Sequence, residues 1–356
     1  MLDHSRRLLG RLSPTFSRLL SRRALLSPGA LLALPAPDRP APIPRPEEVL
    51  SIPVCAQSED DLACQDAQRR GLFLARQDRW DDLVQRLHHP QAHVTIGIVG
   101  KYVHLSDTYK SLNEALVHGG LANQVGVELR HIDSELVDPD DPAAVLSEVD
   151  AVLVPGGFGE RGTEGKIAAI RYARENSVPF FGICLGMQLA VVEYARNVLG
   201  LAGAMSREFD PDPAHALVEL MNEQRTVVDK GGTMRLGTYP CTLEDGSLAR
   251  RVYAKADITE RHRHRYEVNP AYHDQLRDGG LHISGMSPDG VLAEIVELAE
   301  HPWFLGCQFH PEFKSRPLEP HPLFSSYIKA VLTRKRATAV ESRPAPRSGA
   351  GVEAQA

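Results

Sequence analysis

The sequence has few cysteines, few aromatic residues and no long apolar run. Its five cysteines are scattered among 356 residues, with no Cys-x-x-Cys pair and no Cys/His group at zinc-ligand spacing. So sparse a set excludes a disulfide framework and indicates reduced thiols in a cytoplasmic protein. No apolar stretch approaches the roughly 20 residues that a transmembrane helix needs. We therefore expect neither a metal site nor a membrane partner.

The sequence also lacks an excess of positive charge. Lys and Arg number 40 against 46 Asp and Glu, which gives a net charge of -6. This balance argues against a nucleic-acid partner. The hydrophobic fraction of 42% is sufficient for a packed globular core.

Proline and arginine concentrate at the beginning of the chain. Proline lacks a backbone N–H, so the run 35–46 is incompatible with a helix or a central strand. We expect 1–46 to be a disordered Arg/Pro-rich extension, with a targeting peptide over 5–23 as the alternative. We interpret 47–92 as a linker or a degraded remnant of a domain, and 335–356 as a disordered tail.

Between these segments, residues 93–334 alternate between β-branched runs and amphipathic stretches, which predicts one α/β domain. The predicted strands are 93–100, 126–133, 150–157 and 178–184. The predicted helices are 78–87, 107–120, 164–176, 185–200 and 321–335. Strands that alternate with helices indicate a mostly parallel sheet covered by helices on both faces.

One cysteine follows a predicted strand in the pattern of a nucleophile elbow. Gly182 and Gly186 flank Cys184 as Gly-x-Cys-x-Gly, which allows a sharp strand-to-helix turn. The N-terminal N–H groups and dipole of the next helix favour a thiolate at this position. The Leu185 N–H, at the start of this helix, is also expected to lie near a developing oxyanion. The alternative is an ordinary buried thiol.

A thiolate nucleophile needs a base, and the run 307-CQFHPEF-313 offers one. His310 and Glu312 are two residues apart, so on an extended segment both face the same side and can hydrogen-bond. The alternative is a surface histidine near an acid. We interpret Cys307 as a core thiol, because it lies in an apolar run without an elbow.

The glycine-rich run 154-VPGGFGERG-162 follows a predicted strand. Its exposed N–H groups suit an anion or a second oxyanion hydrogen bond. A plain turn and a phosphate loop are the alternatives, although the Walker pattern is absent.

The elbow, the glycine-rich loop and the late His-Pro-Glu occur in the order found in the class I (triad) glutamine amidotransferases, which this sequence resembles. Longer segments narrow the resemblance to the glutaminase half of the CTP synthase family, from about Trp80 to about Leu332. These segments are 97–116, 155–166, 182–200, 231–241, 260–269 and 302–317. The resemblance implies an α/β fold with a mostly parallel, helix-flanked sheet that carries a nucleophile elbow.

The resemblance also implies a reaction. Cys184 attacks the side-chain amide of L-glutamine to form a thioester, and His310, oriented by Glu312, is the acid and base. Gly157 and Leu185 are the implied oxyanion donors. The implied glutamine-binding residues are Gly157, Leu185, Gly186, Met187, Gln188, Glu208 and Arg265. The basic run 261–265 is alternatively a surface loop or a patch that faces a nucleotide effector.

In this family the ammonia passes to a synthetase half, which aminates UTP to CTP with ATP and Mg²⁺. Residues before the glutaminase region contain no Gly-rich phosphate loop with Lys, so we expect no CTP synthesis by this chain alone. The resemblance implies either a truncated gene product or a subunit whose partner is a separate synthetase chain. It also implies no cofactor in this chain and GTP as an activator, and it leaves homo-oligomerisation open. The alternatives are a stand-alone γ-glutamyl amidohydrolase and a non-catalytic regulatory or assembly module.

Overall fold

The computed structural model describes residues 78–101, 108–220 and 234–341. The predicted extension 1–46, most of the predicted linker and the chain beyond 341 lie outside these ranges. In the part described, no helix is both long enough and apolar enough to cross a bilayer.

The first described helix, α1, spans 78–88 and confirms the helix predicted there. Leu83 is its buried residue. This helix belongs to a unit that ends at His88, and the larger unit begins at His89.

The larger unit contains twelve strands and seven helices in its described residues. The strands are β1 (Ala92–Gly100), β2 (Val125–Asp133), β3 (Ala151–Val154), β4 (Phe180–Ile183), β5 (Ala204–Ser206), β6 (His215–Leu220), β7 (Arg235–Leu243), β8 (Asp257–His264), β9 (Tyr266–Val268), β10 (His282–Met286), β11 (Ala293–Glu297) and β12 (Phe304–Cys307). The helices are α2 (Lys110–Asn123), α3 (Ala143–Leu146), α4 (Thr163–Glu175), α5 (Leu185–Asn197), α6 (Leu248–Tyr253), α7 (His273–Asp278) and α8 (Pro322–Glu341).

A nine-stranded sheet runs in the order β2-β1-β3-β4-β12-β11-β10-β7-β8. The first five strands pair in parallel, and the remaining pairs are antiparallel. A small second sheet has the order β5-β6-β9. The predicted α/β class is confirmed, and the parallel half of the large sheet contains β4.

Helices cover both faces of the parallel half, as predicted. Strand β3 shows why, because Val152 and Val154 pack into one apolar cluster while Ala151 and Leu153 pack into the other. Helices α4 and α5 contribute to the first cluster, and α2 and α8 contribute to the second. Buried on both faces, such strands are apolar throughout rather than alternating in polarity.

The predicted end of the second helix near Gly119 was wrong, since α2 continues to Asn123. A Cβ on Gly119 would lie 2.7 Å from the Phe324 carbonyl oxygen. The glycine therefore allows α8 to approach closely and does not end the helix. The last helix also continues beyond the predicted 335 to Glu341, across residues that include good helix formers.

Candidate active site

Three loops with predicted site residues meet at one edge of the sheet. Strands β3, β4 and β12 are adjacent and parallel, so their carboxyl ends lie together. Cys184 follows β4, the glycine-rich loop follows β3, and His310 follows β12. The topology thus gathers residues that are more than a hundred positions apart in the chain.

Cys184 has a strained backbone, with φ 52° and ψ -103°. Positive φ is uncommon outside glycine and costs about 1–3 kcal/mol when the structure enforces it. The Cys184 N–H donates to the Cys307 carbonyl at 2.7 Å, and the Cys184 carbonyl accepts from the Met187 N–H at 3.1 Å. The residue is thus held between the sheet and the first turn of α5, which confirms the elbow geometry.

The two glycines of the elbow are required by close packing. A Cβ on Gly182 would lie 2.7 Å from the Gly186 carbonyl carbon, and a Cβ on Gly186 would overlap the Val154 carbonyl oxygen. The helix can approach the sheet closely only because both side chains are missing.

His310 lies beside Cys184 and pairs with Glu312. His310 Nδ1 is 2.7 Å from Glu312 Oε1, and the His310 N–H donates to the Arg261 carbonyl at 2.7 Å. A Cβ on Gly156 would lie 2.8 Å from His310 Cε1 and 3.5 Å from Cys184 Cβ, so the glycine-rich loop also packs against both residues. The predicted pairing is present, but a 3-10 turn over Pro311–Phe313 produces it instead of an extended segment.

The surroundings of His310 favour its charged form. Burial disfavours the imidazolium, but the Cys184 sulfur and the Glu312 carboxylate outweigh that effect and raise the pKa of His310 to about 10. At neutral pH the imidazole is therefore protonated and lies next to the sulfur. A positive neighbour of this kind stabilises a thiolate.

Both predicted oxyanion donors are backbone N–H groups of residues near Cys184. Within the described ranges, neither the Gly157 N–H nor the Leu185 N–H donates a hydrogen bond to the protein. Leu185 directly follows Cys184 at the start of α5, and Gly157 lies on the wall of the pocket that contains Cys184.

That pocket brings together five of the ten predicted site residues. It is lined by Gly157, Phe158, Cys184, Gln188, Glu208, His264, Arg265 and Tyr266. Leu185, Gly186 and Met187 do not line it. Gly186 packs on β3, Met187 is fully buried against Gly306, and the Leu185 side chain is buried in an apolar cluster. For these three predicted binding residues, the structure shows packing contacts and no position on the wall.

Side chains of opposite charge line the same pocket. Glu208 Oε1 accepts from the Gly159 N–H at 2.9 Å. Burial raises the pKa of the Glu208 carboxyl, while that hydrogen bond and the charges of Lys101 and Arg265 act in the opposite direction. A carboxylate and a guanidinium on the wall of one pocket suit the two charged groups of an α-amino acid.

Beneath the pocket wall lies a buried charge cluster. Arg235 contacts Glu294 at 2.6 Å and Glu267 at 3.3 Å, and His262 Nδ1 lies 2.9 Å from His264 Nε2. Burial and the Arg235 charge lower the pKa of His262 to about 2 and that of His264 to about 3. Both imidazoles are therefore neutral, and His264 presents an uncharged ring to the pocket.

The sequence analysis missed Phe158, His264 and Tyr266 as wall residues. It treated 261–265 as one basic cluster, whereas β8 buries its histidines and exposes the arginines between them. The alternation of Arg and His at a period of two was the signal that could have separated them. Among the described residues, no group of three or more His, Cys, Asp or Glu side chains is arranged to hold a metal ion.

The chain is similar to known proteins over the whole of this domain. The family profile described as "Glutamine amidotransferase class-I" matches residues 104–330. The CTP synthase of Geobacter metallireducens is 60% identical over 257 residues, which cover 72% of this chain and 48% of that protein. The CTP synthase of Syntrophus aciditrophicus is 58% identical over 259 residues, which cover 73% of this chain and 48% of that protein. The chain thus spans about half the length of these relatives.

A solved structure supports the same relationship at the level of the domain. It is described as the Trypanosoma brucei CTPS glutaminase domain with bound acivicin. It is 40% identical to this chain, with a TM-score of 0.64, and the match covers 67% of this chain and 94% of that one. The chain therefore belongs to the class-I glutamine amidotransferases, and its amidotransferase domain is of the CTP synthase glutaminase type.

Proposed function

We propose that this chain hydrolyses L-glutamine to glutamate and ammonia with Cys184, His310 and Glu312 as a triad. The observation that carries the proposal is the strained backbone of Cys184 at an elbow whose sulfur faces the protonated His310. A thiolate beside an imidazolium is a nucleophile with a proton donor already in place.

The reaction follows from the positions of these groups. The Cys184 thiolate attacks the amide carbon of glutamine, and the N–H groups of Gly157 and Leu185 stabilise the oxyanion. His310 gives its proton to the leaving nitrogen, so that ammonia departs and a γ-glutamyl thioester remains. Water then attacks the thioester while His310 accepts its proton, which releases glutamate and regenerates the thiolate.

The charges of the pocket suit glutamine as the substrate. The Glu208 carboxylate binds the α-ammonium group, and the Arg265 guanidinium binds the α-carboxylate. These two groups, Gln188 and the nucleophile line the same pocket. The amide end of the substrate is thereby directed toward Cys184.

The ammonia serves a synthetase that aminates UTP to CTP with ATP and Mg²⁺. The similarity to CTP synthases supports this assignment, although this chain spans only about half of their length. The acceptor site lies in a synthetase region or partner, and GTP activates the glutaminase step.

The test is the release of glutamate and ammonia from L-glutamine by the purified chain, with and without GTP, beside a Cys184→Ala control. The proposal predicts release that the substitution abolishes. If folded wild-type protein releases neither product under either condition, the proposal of an autonomous glutaminase is wrong.

A further inference from the structure

We propose that Gln308, which has no role in the triad, donates a hydrogen bond to the Cys184 sulfur and stabilises its thiolate form. Gln308 follows β12 directly, two residues before His310, and its side chain is fully buried. Its Nε2 atom lies 3.7 Å from Cys184 Sγ, within the range of hydrogen bonds to sulfur. The inference rests on the proposed function only in taking Cys184 as the nucleophile.

The direction of this hydrogen bond is fixed by a chain of contacts that starts at a backbone carbonyl. The Tyr266 carbonyl can only accept, and Gln188 Nε2 lies 2.9 Å from it. The amide nitrogen of Gln188, not its oxygen, must therefore face Tyr266. The Tyr266 carbonyl also accepts from His264 Nδ1 at 3.1 Å.

The second N–H of Gln188 determines the orientation of the next amide. Gln188 Nε2 lies 3.1 Å from Gln308 Oε1, so the Gln308 oxygen is the acceptor in this contact. The Gln308 nitrogen must then point the other way, toward Cys184. The Tyr266 carbonyl thus determines the orientation of two successive side-chain amides, and the second of them directs an N–H donor at the sulfur.

An N–H donor at sulfur favours the charged form of a cysteine. A hydrogen bond to an ionised acceptor is stronger than one to a neutral acceptor, and burial strengthens it further. Gln308, Gln188 and Cys184 are all at most 4% exposed, so these contacts are largely shielded from bulk water. Gln308 therefore acts together with the imidazolium of His310 to keep the sulfur ionised.

The test measures the thiolate directly by following the rate of Cys184 alkylation by iodoacetamide as a function of pH, with the labelled peptide identified by mass. The charged or titratable groups around Cys184 are His310 with Glu312, the neighbouring thiol Cys307, and on the wall of the same pocket Glu208, His264, Arg265 and Tyr266. Gln308→Met changes none of these groups, and it removes the N–H donor at the sulfur together with the oxygen that accepts from Gln188.

We expect Gln308→Met to move the midpoint of the alkylation profile upward by about one pH unit, which is about tenfold slower alkylation below the midpoint. The exposed Gln275→Met variant is the matched control and should leave the profile unchanged. An unaltered midpoint in folded Gln308→Met would overturn the proposal. Alkylation requires no glutamine, so this result is independent of whether the chain hydrolyses glutamine.

A second variant tests the chain of amides without altering residue 308. Gln188→Met removes the N–H that holds the Gln308 oxygen, so it should shift the midpoint in the same direction by a smaller amount. The double variant should shift no further than Gln308→Met alone, because both changes remove one hydrogen bond. Additive shifts would show that residue 188 acts on the sulfur by another route and would overturn the proposed orientation. If Gln308→Met does not fold, an unaltered midpoint in Gln188→Met alone would likewise overturn the proposal.

Discussion

His310 Nδ1 lies 2.7 Å from Glu312 Oε1, and both residues belong to one short turn after β12. Because the two groups are so close in the chain, their distance depends on the geometry of the Pro311 turn and not on the packing of distant elements. The carboxylate accepts the Nδ1–H and leaves the other ring nitrogen for Cys184 and the substrate.

Removal of the Glu312 charge should lower both the pKa of His310 and the turnover number. Glu312→Gln keeps the size of the side chain but loses the anion that favours the imidazolium. We expect kcat for glutamine hydrolysis to fall about 10²- to 10⁴-fold, the usual contribution of a positioned acid–base group. Steady-state kinetics and an NMR titration of the imidazole check both effects. Glu319→Gln, in an exposed ion pair with Arg316, is the control and should change neither.

Substitution at Glu208 should affect substrate binding more than chemistry. Glu208→Gln removes the carboxylate proposed for the α-ammonium group, and a hydrogen bond to a charged partner contributes about 1.5–3 kcal/mol. We expect KM for glutamine to rise about 10- to 100-fold while kcat changes little. Glu164→Gln, outside this pocket, is the matched control. A fall in kcat with no change in KM would remove Glu208 from the binding site.

A methyl group at Gly186 should destabilise the domain. Its Cβ would overlap the Val154 carbonyl, so α5 would have to move away from β3. We expect Gly186→Ala to lower the free energy of unfolding by about 1–3 kcal/mol, as overpacking usually does. Met187→Leu, one residue further, conserves volume in the buried core and should cost less than about 1.5 kcal/mol. Urea denaturation of both variants makes the comparison, and equal midpoints would contradict it.

Acid should destabilise the domain through His118. Burial lowers the pKa of His118 to about 4, from 6.5 in the unfolded chain. Between these values the unfolded state binds more protons, so stability falls as pH falls from 6.5 towards 4, on the order of 3 kcal/mol. His118→Gln should flatten this part of the stability profile, whereas His282→Gln, at an exposed site, should not. Parallel profiles for wild type and His118→Gln would contradict the prediction.

The elbow at Cys184 and the contact between His310 and Glu312 could be predicted from sequence because their signals are local. The Gly-x-Cys-x-Gly spacing around Cys184 and the two-residue spacing of His310 and Glu312 each lie within one short segment. The α/β class could be predicted for the same reason, because each strand and each helix has its own local pattern of apolar residues.

The remaining features depend on residues that are distant in the chain. Gly119 lies inside a helix because of its contact with Phe324, which no local pattern reveals. Gln308 lies beside Cys184 because β4 pairs with β12. His264 lies on the pocket wall because β8 passes beneath the pocket. Sequence order alone does not specify these contacts.

The most direct test of the central claim is the capture of the acyl intermediate. The wild-type chain would be mixed with L-glutamine, quenched in acid, digested and analysed by mass spectrometry. We predict a γ-glutamyl group on the peptide that contains Cys184 and none in the Cys184→Ala variant. Glutamate release without this adduct, or an adduct on Cys241 or Cys307 instead, would contradict Cys184 as the nucleophile.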